Sequence, residues 1–264
     1  MRSRSRKPLI IGLGLVAMVA VLLGVGGWGY YATQQAQRPL DTAKAYCADL
    51  RTHNYTAAYS LLSSQMRGSI SQSEYALENT LRDQVDGPAT ACQLPAGGSA
   101  GVTFSIPTSA TVPLAITRAQ SAHSLTGAIT LAPENGAWRI TSIAATLQGT
   151  DVAPIVTSRR FCEALVAGDY TTAYGLLSTS EQQIGSEQDF ATTYSQAFGG
   201  ANGATKLTGC AFNPRAYTVS SDDASATLNG ALQGTPDVAI PTTLALVRQQ
   251  GVWKIDAITL TLSA

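Results

Sequence analysis

Two histidines, four cysteines and a scatter of carboxylates are the residues of this 264-residue chain with types suited to chemistry. Nucleophilic catalysis needs a base beside the nucleophile and a third group to orient that base. Neither His53 nor His123 stands in an order or spacing that builds such a set. His53 precedes Asn54 and reads as a residue at a helix C-terminus, where a partly charged imidazole suits the helix dipole. No phosphate-cradling glycine loop is present; Gly97-Gly98 and Gly199-Gly200 punctuate loops. No C-x-x-C spacing or histidine pair suggests zinc, so no metal or cofactor is expected. Asp49, Glu163 and Asp256 are lone carboxylates, which are usually solvated. Six aromatic residues are the better pocket candidates: Tyr55, Tyr59, Trp138, Tyr170, Tyr174 and Trp253. Each also reads simply as core packing, with its polar tip hydrogen-bonded. No residue is assigned a catalytic role.

The elements that position these residues come in two copies. Asn54–Leu62 reads NYTAAYSLL, and Asp169–Leu177, 115 positions later, reads DYTTAYGLL. Asn54 and Asp169 are strong N-caps, because a short side-chain oxygen accepts a free N–H of the first turn. Gly168 suits the end of a preceding helix. Tyr170, Ala173, Tyr174 and Leu177 fall at i, i+3, i+4 and i+7, one helix face. Ser71–Glu74 and Ser186–Asp189 are capping-box-like and start another helix, each followed by an aromatic, Tyr75 or Phe190. Helices are therefore predicted at 41–53, 55–67 and 72–86, and again at 154–167, 170–180 and 187–198. β-rich runs follow in each half: 91–94, 101–106, 111–119, 124–131 and 137–147, then 205–212, 215–221, 224–232, 239–249 and 251–262. Asn135-Gly136 is a hairpin signal with Gln250-Gly251 as its counterpart. Trp138, Ile140 and Leu147 recur 115 positions on as Trp253, Ile255 and Leu262. Helices followed by a strand meander imply α+β.

Residues 2–7, RSRSRK, are basic, and Leu9–Tyr31 is uncharged and apolar over 23 residues. As a helix this spans about 35 Å, enough for the hydrocarbon layer. Trp28, Tyr30 and Tyr31 sit at its far end, where interfacial aromatics belong, and the basic cluster places the N-terminus in the cytoplasm. A cleaved signal peptide is the competing reading, but its apolar core would be shorter and would end in a clearer cleavage site. Beyond the basic cluster the chain carries 13 basic against 17 acidic residues. That balance argues against a nucleic-acid partner, since phosphate binding needs a basic face.

The corner (Asn/Asp)-Tyr-x-x-Ala-Tyr-x-Leu-Leu, the Ser-x-x-(Glu/Asp)-(Tyr/Phe) that follows, and the closing Gly-x-Trp-(Arg/Lys)-Ile resemble the nuclear transport factor 2-like superfamily. The similarity is to its small, membrane-anchored extracytoplasmic bacterial members, and it covers both repeats from about Leu40 onward. It implies a bent antiparallel sheet wrapped around helices to form a cystatin-like cone. The fold class expected is thus α+β: an N-terminal transmembrane helix, then two tandem cone-shaped domains, each of three helices packed on a bent sheet. The boundaries expected are 1–8 cytoplasmic, 9–31 transmembrane, 32–39 linker, 40–148 first domain, 149–153 linker and 154–264 second domain. The superfamily spans dehydratases, isomerases, binding domains and accessory domains, so the fold assigns no function.

Cys47 and Cys162 lie in the first helix of each copy, and Cys92 and Cys210 early in each first strand. Four cysteines allow three connectivities. The repeat symmetry selects Cys47–Cys92 and Cys162–Cys210, and an oxidising compartment would let such bridges persist. Free buried cysteines are the competing reading.

The expected protein is a single-pass, extracytoplasmic one, its N-terminus cytoplasmic. Its two domains are non-catalytic binding or scaffold units acting in the cell envelope. The partners expected are the membrane and either a cell-envelope protein or a small apolar ligand. The alternative is a dehydratase- or isomerase-type enzyme that uses one cone cavity and two or more converging titratable groups.

Overall fold

A computed structural model describes residues 38–94, 103–105, 109–198, 205–235 and 237–261. The expected cytoplasmic segment 1–8 and span 9–31 lie outside these residues. Among the described residues, no helix is long and apolar enough to cross a membrane. The architecture is α+β, with two antiparallel sheets.

Helix α1 covers 38–51. It is followed by α2 (Tyr55–Ser60), α3 (Ser64–Ser69) and α4 (Gln72–Asp86). Strands β1 (Ala89–Gln93), β2 (Thr103–Ser105), β3 (Ser109–Arg118), β4 (Leu125–Glu134) and β5 (Ala137–Ile143) come next, then a 3-10 turn at Ala145–Leu147. The second copy gives α5 (Ala153–Ala167), α6 (Tyr170–Gly175), α7 (Thr179–Ile184) and α8 (Glu187–Phe198). It ends in β6 (Lys206–Val219), β7 (Ser225–Thr235), β8 (Val238–Gln249) and β9 (Val252–Leu260).

Two expectations need correction. Among the described residues each copy has four helices before its strands, because the second expected helix is broken. Ser63 and Ser178 start new helices, their hydroxyls accepting from Met66 N (3.3 Å) and Glu181 N (3.1 Å). The leucine just before each serine forms a parallel bridge to the last strand, Leu62 with Ile140 and Leu177 with Ile255. Ser63 N donates to Ile140 O (2.8 Å) and Ser178 N to Ile255 O (2.7 Å), while Ile140 N and Ile255 N donate back to Leu61 O and Leu176 O. A backbone engaged by a strand cannot continue a helix, and the Leu-Leu-Ser triplet is the local cause in both copies. The second correction concerns 205–212 and 215–221, which form one strand, β6, with an irregularity between Phe212 and Tyr217. The first sheet accordingly has five strands and the second four.

The chain forms two compact units. Of the described residues, the first contains 38–70, 91–94, 103–105, 109–117 and Ser124–Leu147. Its sheet runs β1-β3-β4-β5, with β2 paired to β3. Along β3, alternate residues are buried, as expected of a strand with one face on a core. Ala43, Ala58, Leu62, Val112, Ile129, Leu131 and Ile140 are fully enclosed. Cys47 and Cys92 are joined, with Cα atoms 5.3 Å apart.

Of the described residues, the second unit contains Ser71–Thr90, Arg118–His123, 148–198, 205–235 and 237–261. Its sheet is the meander β6-β7-β8-β9. Cys162 and Cys210 are joined, Cα atoms 6.3 Å apart. Both bridges are those the repeat symmetry selects. The core gathers Ile155, Phe161, Leu228, Leu232, Leu244, Leu246 and Ile255. Helix α4, part of the first copy by sequence, contributes Leu81 to this core, with Leu77 and Val85 packed beside it. Ion pairs hold it there: Asp83 with Arg118 (2.8 Å), Glu74 with Arg160, and Glu78 with Arg82 along the helix (3.2 Å). Asp86 accepts from Thr150 N (3.0 Å). The β-bulges follow the repeat too: the extra residue is Thr141 of β5 opposite Thr130/Leu131, and Asp256 of β9 opposite Ala245/Leu246.

Candidate binding cavity

The cavity with the most distinctive lining lies in the second unit, between α6, α7, α8 and β9. Its volume is about 410 Å³, and its lining includes Tyr174, Phe190, Tyr194, Ile258, Glu181 and Asp189. Local chain chemistry sets up each wall. Asp169 caps α6, accepting from Thr172 N (3.0 Å) and Thr172 Oγ1 (2.7 Å). This aims Tyr174 toward α7, where its hydroxyl lies 3.0 Å from both Gln182 O and Gly185 O. Ser178 starts α7 and places Glu181 in its first turn. Ser186 and Asp189 form a reciprocal capping box: Asp189 N donates to Ser186 Oγ (3.2 Å), and Ser186 N to Asp189 Oδ2 (3.1 Å). The helix they start carries Phe190, Tyr194 and Phe198 at i, i+4 and i+8. The Phe190 and Tyr194 rings are 4.4 Å apart, Tyr194 and Phe198 5.8 Å, and Tyr174 and Phe190 5.8 Å. No residue of α8 is fully buried, and Ile184 at the rim is 78 % exposed.

The electrostatics of the site are acidic. Burial, and secondarily the charge of Asp256, raise the Glu181 carboxyl above its ordinary range. Burial, and then the nearby Glu181, push the Tyr194 phenol up to about 12. Hydrogen bonds from Ser186 hold Asp189 below the ordinary range. Those from Ser180 (2.6 Å) and Ser178 do the same for Asp256. No lysine, arginine or histidine is among the cavity's lining residues.

The six pocket candidates are not brought together. Only Tyr174 lines this cavity; Tyr170 lines a separate, more polar hollow with Glu187. Tyr55 is buried, its hydroxyl 3.1 Å from His53 Nδ1. The Tyr59 hydroxyl lies 3.1 Å from Arg67 O and 2.9 Å from Ile70 O. These carbonyls match Gln182 and Gly185 at the 115-residue offset, so Tyr59 and Tyr174 do the same structural work, tying down the end of a short helix. Trp253 is buried, donates Nε1–H to Asp151 Oδ2 (3.1 Å) and carries the Arg248 guanidinium 5.4 Å above its ring. Trp138 is half-buried on β5.

The carboxylates and histidines are equally dispersed. Asp49 is raised by burial on α1. Glu163 is exposed beside the Cys162–Cys210 bridge, in a separate 490 Å³ hollow. His53 and His123 are exposed. Among the described residues, no group of three or more metal-ligating side chains converges. Phe190 was visible in the sequence only as the aromatic after a capping box, and Tyr194 not at all. Their signal is the i, i+4, i+8 aromatic stripe, which has no counterpart in the first copy.

No protein-family model matches the chain, and no curated protein matches it. Among solved structures, it is similar to a cystatin-like protein from Ruminococcus gnavus ATCC 29149. The identity is 9 %, the TM-score 0.29, and the match covers 89 % of this chain and 95 % of that one. A likeness of that size carries no weight for function, and the α+β architecture stands on the strands and helices described above.

Proposed function

We propose that the chain is a single-pass, membrane-anchored extracytoplasmic protein whose two nuclear transport factor 2-like units are non-catalytic binding or scaffold domains in the cell envelope. The observation that carries the binding role is the α6–α8 cavity, an open aromatic hollow of ligand size. Two of the carboxylates at or beside it, Asp189 and Asp256, are held by neighbouring serines. The apolar stretch 9–31 after a basic cluster supports the anchor. The two disulfides fit an oxidising, extracytoplasmic compartment.

The test uses intact cells and the full chain. The protein should stay with membranes after carbonate extraction and be cut by protease added outside. A photo-crosslinking residue at Ile184 should give a discrete adduct that the same residue at exposed Val252, outside the cavity lining, does not. A protein released by carbonate, or shielded from external protease, would overturn the placement; equal labelling at both positions would overturn the binding role. A dehydratase- or isomerase-type enzyme has one observation in its favour, the raised Glu181 carboxyl beside Tyr194, which suits a general base. Its weakness is the open rim, since such a site would exclude water.

A further inference from the structure

We propose that the α6–α8 cavity is a receptor site for an organic cation: an alkylated ammonium group carried on an apolar body. The inference rests on reading the second unit as a binding domain, and it adds the ligand's chemistry. Three observations carry it.

The first is the wall. Tyr174, Phe190 and Tyr194 form a run of rings 5.8 and 4.4 Å apart. Aromatic faces attract ammonium groups through the ring quadrupole, most strongly where water is partly displaced. The second is the charge around that wall. Glu181 and Asp189 line the cavity, Asp256 lies close enough to Glu181 to act on its charge, and among the described residues no lysine, arginine or histidine lines it. An anionic ligand would meet repulsion here, and a neutral one would leave the acidic rim unused.

The third observation is the comparison with the first copy at the same places. At the 115-residue offset, Tyr194 corresponds to Asn79, Glu181 to Met66 and Ile184 to Ser69. Asn79 is buried, and its side chain donates to Tyr75 O (2.8 Å). Tyr174, Phe190 and Asp189 correspond to Tyr59, Tyr75 and Glu74, so a ring or an acid stands at those places in both copies, and Tyr194 and Glu181 are peculiar to the second. Phe190 and Tyr194 pack against the core along one side, yet neither is fully buried.

Of the titratable groups facing the cavity, Asp189 and Asp256 are held ionised below the ordinary range, and Tyr194 stays protonated up to about 12. Tyr174 is engaged with backbone carbonyls. Glu181 is left to set the acid limb. Cation binding should strengthen as pH rises through its raised pKa.

The experiment titrates the full chain, in uncharged maltoside micelles, with benzyltrimethylammonium, benzyl alcohol and benzoate, following the ring protons of Phe190 and Tyr194 by NMR. The cation should bind saturably and roughly tenfold or more tighter than the alcohol, the scale of one cation–π and one carboxylate contact. Benzoate should bind weakest. Glu181→Gln should remove most of the cation's advantage and leave the alcohol unchanged. Tyr194→Leu, which keeps an apolar side chain, should weaken the cation more than the alcohol; far-UV circular dichroism checks that both variants fold. A parallel arm with phosphatidylcholine and phosphatidylglycerol vesicles separates a lipid headgroup from a free amine. Preference for phosphatidylcholine assigns the headgroup, and equal retention assigns the free cation. If the alcohol binds as tightly as the cation, or Glu181→Gln changes nothing, the cation assignment fails while the binding-domain reading stands. If no probe moves the rings and Ile184 gives no adduct in cells, both fail.

Discussion

Tyr75, Asn79 and Asp83 on α4 stand 115 residues before Phe190, Tyr194 and Phe198 on α8, and both helices start from a serine cap. Their surroundings are opposite. On α4, Tyr75, Asn79, Leu81 and Arg82 are buried, and the acids are held by Arg118, Arg160 and Thr150. On α8 nothing is fully buried, and Phe190 and Tyr194, packed partly against the core, also line an open cavity. The rest of the repeat is kept closely: the caps, the Leu-to-Ile bridges, the bulges and the tyrosine ties coincide at one offset. The fourth helix is thus where the copies were free to diverge. One copy spends it on cohesion; in the other it is available for recognition.

This contrast can be broken at several points. The largest effect is expected from the disulfides, which belong to the shared part. Cys47→Ser with Cys92→Ser, and Cys162→Ser with Cys210→Ser, should each cost about 4 kcal/mol on the chain-entropy account. The bridges close loops of 45 and 48 residues, so the two losses should agree within about 1 kcal/mol. Denaturant unfolding of the full chain measures both, and unequal losses would weaken the equivalence of the copies. Next is Asp83→Asn, which leaves the Arg118 guanidinium, 3 % exposed, without its counter-charge. It should cost about 3 kcal/mol. Tyr194→Asn, the matching change toward the first copy on α8, should cost about 1 kcal/mol. If Tyr194→Asn proves the more damaging, α8 is a structural helix and the contrast is lost.

Smaller effects sharpen the shared part. Ser63→Ala and Ser178→Ala each remove a cap at the helix break and should each cost about 1 kcal/mol. The smallest is a pH effect confined to the second copy. Asp169 is held below its ordinary range, chiefly by the Thr172 hydroxyl. A depressed acid pKa contributes stability above the unfolded value, and that contribution is lost as pH falls through the folded one. The first copy caps with Asn54, which does not titrate. Amide exchange below pH 4 should therefore quicken at the start of α6 and not at the start of α2.

The repeat, the α+β order and the cysteine pairing were legible because each rests on residue types at a fixed offset. The helix break was missed although its signal was present: Leu-Leu-Ser occurs in both copies, and serine is a strong N-cap. Periodicity hid it, because Leu62 and Leu177 fit the helical stripe that precedes them. In β6, two runs were expected at 205–212 and 215–221, but Arg215 N donates to Asn213 Oδ1 (3.0 Å) and one strand runs through with an irregularity between Phe212 and Tyr217. The site was hardest. Lone aromatics on an amphipathic stripe read as core, and a sequence does not say which stripes are left uncovered. The ion pairs of α4 were not legible, since Arg118 and Arg160 are 35 and 86 positions away from Asp83 and Glu74.

The placement of Leu81 bears on how this molecule can be taken apart. It is fully enclosed in the core of the second unit, yet it precedes that unit's own repeat by some seventy residues. Excising 154–264 at the duplication boundary would leave a void where an entire helix belongs, with apolar strand and helix surface open to water and prone to self-association. An autonomous fragment would have to begin at Ser71 and carry the intervening strands as passengers. Heredity by duplication and independence in folding therefore follow different seams in this polypeptide.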